Sequence, residues 1–168
     1  MKNVVILISG KQGSGKTSLA NAICNAVNIT MNEANIKAFQ HTFAGTIYQL
    51  HNMILQAVAT YGLPVPQKDG NLLQLLGTEW GRKTYGDNVW VDIVKRQMED
   101  RARFAFSAEG IISVVSDTRF PNELEAFPGA VTVRLDCPEE IRKARILATP
   151  GQNWRENTNH PSETGLDH

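Results

Sequence analysis

One octapeptide constrains this chain more than any other stretch. Gly10-Lys11-Gln12-Gly13-Ser14-Gly15-Lys16-Thr17 fits the pattern G-x-x-x-x-G-K-[ST]. Just upstream, Val4-Val5-Ile6-Leu7-Ile8-Ser9 is a continuous apolar run rich in β-branched residues, the composition of a strand covered on both faces. Downstream, Leu19, Ala22, Ile23, Ala26 and Val27 recur at helical spacing. The motif therefore lies between a strand and a helix. Glycines let the backbone turn tightly, and successive amide N–H groups together with a helix N-terminus converge on one anion. Such a loop binds the phosphates of a nucleoside triphosphate. The expected contacts are Lys11, Gln12, Gly13, Ser14, Gly15, Lys16, Thr17 and Ser18. Within them, Lys16 reaches the β- and γ-phosphates, and the Thr17 hydroxyl is placed to ligate Mg²⁺.

The chain of 168 residues is long enough for one domain with a sizeable core. Its formal net charge is zero, which argues against a nucleic-acid or acidic-membrane partner. The two cysteines, Cys24 and Cys137, are too few for a disulfide framework and point to a reducing cytosol. The apolar N-terminal run is too short for a signal peptide or a membrane span.

Further along, Asn35–Gln40 reads as a second strand, and Phe43, Ile47, Leu50, Ile54, Ala57, Val58 and Tyr61 form a helical stripe ended by Gly62-Leu63-Pro64-Val65-Pro66. A third helix is expected from Asn71 to Arg82, and Gly86-Asp87-Asn88 reads as a break and N-cap. A fourth helix is expected from Val89 to about Ser107, carrying Trp90, Val94, Met98 and Ala105. Ile111–Ser116 reads as a buried strand ending in Asp117; a short helix (Asn122–Phe127), a strand (Ala130–Leu135) and a helix (Glu139–Leu147) follow. Strands alternating with helices predict an α/β fold, a three-layer α/β/α sandwich around a parallel sheet. The expected organisation is a single domain. Its core is 1–40 and 108–147, its helical region about 41–107, and its polar lid or tail about 148–168. Ligands of such sheets bind beyond the carboxyl ends of the strands, which puts the glycine loop and Asp117 on one edge.

Three further clusters carry chemistry. Asp117 at a strand end suits a carboxylate that holds Mg²⁺ directly or through water, and Arg119 suits a bidentate phosphate contact; the lesser alternative is a turn cap and a surface ion pair. Gly77-Thr78-Glu79-Trp80-Gly81-Arg82 offers a ring for a base and a guanidinium for a monophosphate, or a helix end with a core Trp. Arg142 and Arg145 share a helix face and, with Arg155, suit the transferring phosphoryl group or a solvated surface. His160 reads as a loop hydrogen-bonder.

Taken together, the segments GKQGSGKT, LGTEWGR, DTRFPNE and HPSE resemble the phage-type deoxynucleoside monophosphate kinases, within the P-loop nucleoside monophosphate kinases. The resemblance implies transfer of the ATP γ-phosphoryl group to a (deoxy)nucleoside 5′-monophosphate, with Mg²⁺, in the cytoplasm (a host cell's, for a phage protein). It implies a helical monophosphate-binding region and a mobile lid. By position it assigns the magnesium or its waters to Thr17 and Asp117, and the monophosphate to Glu79, Trp80, Arg82, Asp117 and Arg119. It assigns catalysis to Lys16, Asp117, Arg119, Arg142 and Arg145. Proteins of that family usually continue past a segment like Ser162–Asp167 into a last strand and helix; the alternatives here are a longer protein that carries them or a sheet closed differently, and a missing strand would open a sheet edge and remove part of the adenine pocket. Base, sugar and oligomeric state stay open, a homodimer among the arrangements. So do two other functions: a P-loop kinase of another small phosphate acceptor, and a non-catalytic nucleotide-binding module. A GTPase is disfavoured, since neither Asn-Lys-x-Asp nor an Asp-x-x-Gly switch after Asp117 is present.

Overall fold

A computed structural model describes residues 2–149 together with Trp154 and Leu166. Its sheet follows from four apolar runs: β1 (Lys2–Gly10), β2 (Ile36–His41), β3 (Gly110–Thr118) and β4 (Val131–Leu135). All pair in parallel, in the order β2-β3-β1-β4. Parallel strands need crossovers, and the helices supply them. These are α1 (Lys16–Thr30), α2 (Gly45–Thr60), α3 (Gly70–Gln74), α4 (Lys83–Tyr85), α5 (Val89–Phe104), α6 (Pro121–Glu125) and α7 (Glu139–Leu147).

Adjacent strand residues point to opposite faces, and here each face meets its own layer. Leu7 and Val115 pack with Phe43 and with Trp90, Val91 and Val94 of α5. Their chain neighbours Ile8 and Val114 pack on the other side with Ala38 and with Ala20 and Cys24 of α1. The strands are thus apolar on both faces because both are covered, giving the three-layer α/β/α sandwich that the alternation predicts. The helical stretch 41–107 contributes α5 directly to one of those layers.

Four local expectations are corrected. The third helix is not one α-helix: residues Leu75–Arg82 form a π-helix between α3 and α4. One glycine in this wide turn, Gly81, admits a neighbouring ring. A Cβ on Gly81 would lie 2.3 Å from Trp90 Cζ2, and Trp90 Nε1 donates to the Gly77 carbonyl at 2.8 Å. The fourth helix stops at Phe104, not near Ser107, because the chain turns there to enter β3, with Ala108 N–H on the Ala105 carbonyl; Ala105 follows the helix instead of riding on it. Asn88 stands at the N-cap of α5 but makes no side-chain cap bond; its Oδ1 accepts from Asn122 Nδ2. The last β-strand of the resemblance, the lid, Arg155 and the His160-Pro161-Ser162-Glu163 turn lie outside the described residues. No helix among the described residues is long and apolar enough to cross a membrane.

The close approach at Gly81 makes a direct test. Gly81→Ala should lower the unfolding free energy by about 2–3 kcal/mol, through overpacking against Trp90. Gly62→Ala, which meets no atom within 4 Å but has φ +76°, should lower it by only about 1 kcal/mol. Urea unfolding of the two variants measures both.

Candidate nucleotide site

The glycine loop leaves β1 and enters α1. Gly10, Gly13 and Gly15 sit at φ 139°, 78° and 100°, backbone that side chains with a Cβ rarely adopt. The loop is gripped from several sides. Lys16 is buried and its Nζ donates to the carbonyls of Gly10 at 2.5 Å and Lys11 at 2.9 Å. Arg142 Nη1 donates to the Gln12 carbonyl and Arg145 Nη1 to the Gly13 carbonyl, both at 3.3 Å. Thr17 and Ser18 lie exposed on the first turn of α1. The Oγ of Ser14 is buried without a partner among the described residues.

Asp117 reaches the same edge through the sheet register. β1 and β3 pair residue by residue from Lys2↔Gly110 to Leu7↔Val115 and then slip, so that Ser9 faces Thr118. One extra residue in β3 is a bulge, which re-aims side chains at a strand end. The Asp117 carboxylate accepts the N–H of Phe43 at 2.8 Å and of Ala44 at 2.9 Å, one on each oxygen. It therefore secures the entry to α2. Burial raises its pKa; the Ala44 and Phe43 N–H groups and the charges of Arg119 and Lys16 oppose that rise. Asp117 is thus within electrostatic reach of both cations.

Sequence reasoning gave Glu123 no role, and it is central. It is 2% exposed. One oxygen accepts the N–H of Arg119 at 2.7 Å and of Phe120 at 3.1 Å; the other pairs with Arg82 Nη2 at 3.4 Å. Arg82 lies over the Phe120 ring at 4.3 Å and donates to the Asp87 carbonyl. Burial pushes the Glu123 carboxyl up to about 7, with the Asp117 charge adding to the rise and the Arg119 and Phe120 N–H groups and Arg82 opposing it. The signal was present: Pro121 followed two residues later by Glu is a helix-start pattern in which the acid turns back on preceding N–H groups. Lys16, Asp117, Arg119, Glu123 and Arg82 thus form one chain of charges from the glycine loop to the end of the π-helix.

The remaining candidates are placed elsewhere. Trp80 is 42% exposed and meets Tyr85 edge-on at 5.3 Å. Glu79 is exposed and pairs with Lys83 one turn on. The tryptophan that enters the core is Trp90. Arg142 and Arg145, which share a face as their spacing predicts, lie on loop carbonyls.

Comparison with known proteins agrees with this architecture. The family described as "ATPase family associated with various cellular activities (AAA)" matches residues 6–65, the stretch holding the glycine loop. The deoxynucleoside-5′-monophosphate kinase of Escherichia phage T5 is 29% identical over 96 residues, covering 56% of this chain and 33% of that protein. The chain thus spans about a third of the length of that relative. Parallel sheet, flanking helices and glycine loop together are those of a P-loop nucleoside-triphosphatase fold.

Glu123 gives the site a pH signature. Its folded-state pKa of about 7 stands above its ordinary 4.5, so the stability it allows is complete below pH 4.5 and is lost as pH rises towards 7. Unfolding free energy should fall by of the order of 3 kcal/mol across that interval from this group. Glu123→Gln should flatten that part of the profile in urea titrations at stepped pH; unchanged curvature would assign the titration to another group.

Proposed function

We propose that this chain transfers the γ-phosphoryl group of ATP to a (deoxy)nucleoside 5′-monophosphate, giving ADP and the diphosphate. The observation that carries this reading is the continuous run of charges from Lys16 to Arg82. A hydrolase needs cations around one polyphosphate only. Here Glu123 pairs with the Arg82 guanidinium and accepts the main-chain N–H of Arg119, which brings a second pair of arginines together on elements separate from the loop. The partial likeness to the phage T5 kinase supports the same choice.

In this reading the loop amides and Lys16 grip the donor phosphates, while Arg119 and Arg82 fork onto the acceptor phosphate. Both anions are held in line, and their mutual repulsion is screened by fixed cations. Thr17 and Asp117 would hold a Mg²⁺ ion. A hydroxyl and a carboxylate oxygen are the hard donors this ion prefers, and it is commonly held by one or two such groups plus phosphates. Bound there, the ion would neutralise charge on the β- and γ-oxygens. Asp117 is already fixed by two N–H donors, so its orientation does not depend on the ion. Glu123 orients the Arg119 turn and the Arg82 fork together.

A panel of all four deoxy- and ribonucleoside monophosphates with ATP and Mg²⁺, read as ADP release, tests the proposal. Turnover on at least one acceptor is the expected result. ATP binding without turnover on any of them would favour another small phosphate acceptor or a non-catalytic module. Lys16→Ala should remove activity with the fold retained in circular dichroism. Arg82→Ala should raise the KM for the monophosphate at least tenfold and the KM for ATP much less, about 1.4 kcal/mol or more of acceptor binding; equal effects on both would overturn its assignment.

A further inference from the structure

The glycine loop carries four consecutive carbonyls, Gly10 to Gly13, and each accepts a hydrogen bond from a cation. Lys16 takes the first two, Arg142 the third and Arg145 the fourth. The two arginines come from α7, about 130 residues away in sequence. Across a trans peptide the N–H points opposite to the C=O. Bonds on the carbonyl side therefore fix which way the following N–H groups face, and N–H groups are what a phosphate binds.

Arg142 and Arg145 are built into this position. Arg142 is 5% exposed. Its Nε donates to the Cys137 carbonyl at 3.1 Å, Glu139 lies 3.8 Å from its Nη2, and the Trp154 ring lies 5.4 Å from the guanidinium. α7 also presses on the loop itself: a Cβ on Gly13 would lie 2.9 Å from the Arg142 carbonyl oxygen and 3.1 Å from Ile146 Cδ1. Arg145 adds a second anchor one turn further on, and its Nη1 is 3.8 Å from where a Gly15 Cβ would be.

We propose that Arg142 and Arg145 are positioning residues of the nucleotide site, acting on the loop's carbonyls and not on the transferring phosphoryl group. Their importance rises during turnover. A phosphate and the Gly10 and Lys11 carbonyls compete for the one Lys16 ammonium. Once Lys16 turns to the phosphate, the α7 arginines are the cations left on the carbonyl side. The proposal rests on the nucleotide site of the reading above but not on the identity of the acceptor.

ADP separates the two possibilities, because it lacks the γ-phosphoryl group. Calorimetric titration of Mg²⁺ with ADP, and with a non-hydrolysable ATP analogue, is run on the whole chain and on Arg145→Gln, Arg142→Lys and Lys143→Gln. Arg145 is exposed, so Arg145→Gln should keep the unfolding midpoint of the parent. It should weaken ADP and the analogue by the same factor, about tenfold. Arg142→Lys should do the same more strongly, since one ammonium cannot replace a fork held at two carbonyls. Lys143→Gln, on the same helix over Trp154, should change neither. Unchanged ADP affinity with a loss confined to the analogue or to kcat would overturn the proposal and put the arginines on the γ-phosphoryl group. Should Arg142→Lys fail to fold, Arg145→Gln decides alone. ADP binding is read without an acceptor, so a blank acceptor panel would overturn the kinase reading and not this one. Failure of the parent chain to bind ADP would overturn both.

Discussion

The pairing of β1 with β3 is the contact on which the rest depends. Six residues of β1 run in register with β3, and then one residue slips. The regular part is buried on both faces, with Leu7, Ile8, Val114 and Val115 at 1% exposure or less. Four such side chains stabilise the pair by roughly 6–12 kcal/mol in transfer terms, which fixes the two strand ends relative to each other. The slip then turns that rigidity to use. It delivers the glycine loop from one strand and Asp117 from the other to a single edge, with the Asp117 carboxylate on the N–H groups of Phe43 and Ala44 just before α2.

Rigid delivery matters because the site concentrates buried charge. Glu123 and Arg142 are each nearly inaccessible, and an unpaired ion in such a place costs several kcal/mol. Each is therefore surrounded by groups that need no side-chain motion to respond: main-chain N–H for Glu123 and Asp117, main-chain carbonyls for Arg142 and Lys16. Backbone dipoles cannot rotate away when a substrate leaves. The charged side chains are accordingly held by the fold, and the nucleotide meets groups already in place, the condition under which electrostatic stabilisation is largest.

That same reliance on the backbone explains what the sequence does and does not disclose. The strand–loop–helix unit was legible because it is local: an apolar run, glycines and a 3.6-residue period all lie within thirty residues. Asp117 was legible as a strand-end carboxylate, but not as the cap of α2, whose N–H groups lie over seventy residues earlier. Arg142 and Arg145 were correctly placed on one helix face, yet that face meets carbonyls, and every residue carries one. No side-chain pattern marks such a target. Trp80 and Trp90 both sit in helical stretches; only the apolar stripe shared with Val91 and Val94 marks Trp90 as the core residue. The π-helix packs on the ring of Trp90 at Gly81, a tertiary contact that helix propensities do not contain.

The charge balance then acquires a local meaning. The chain is formally neutral, so no long-range field draws an anion towards it. At the edge of the sheet, however, Lys16, Arg82, Arg119, Arg142 and Arg145 outnumber the acids nearest them, Asp117, Glu123 and Glu139, and burial keeps Glu123 partly protonated near neutral pH. The loop carbonyls take up part of that positive charge, since Lys16, Arg142 and Arg145 each donate to them. A polyphosphate offsets the remainder where a neutral ligand does not. Glu123 ties Arg82 to the Arg119 turn. Positive charge is thus gathered locally at this edge, in a protein whose overall charge is zero.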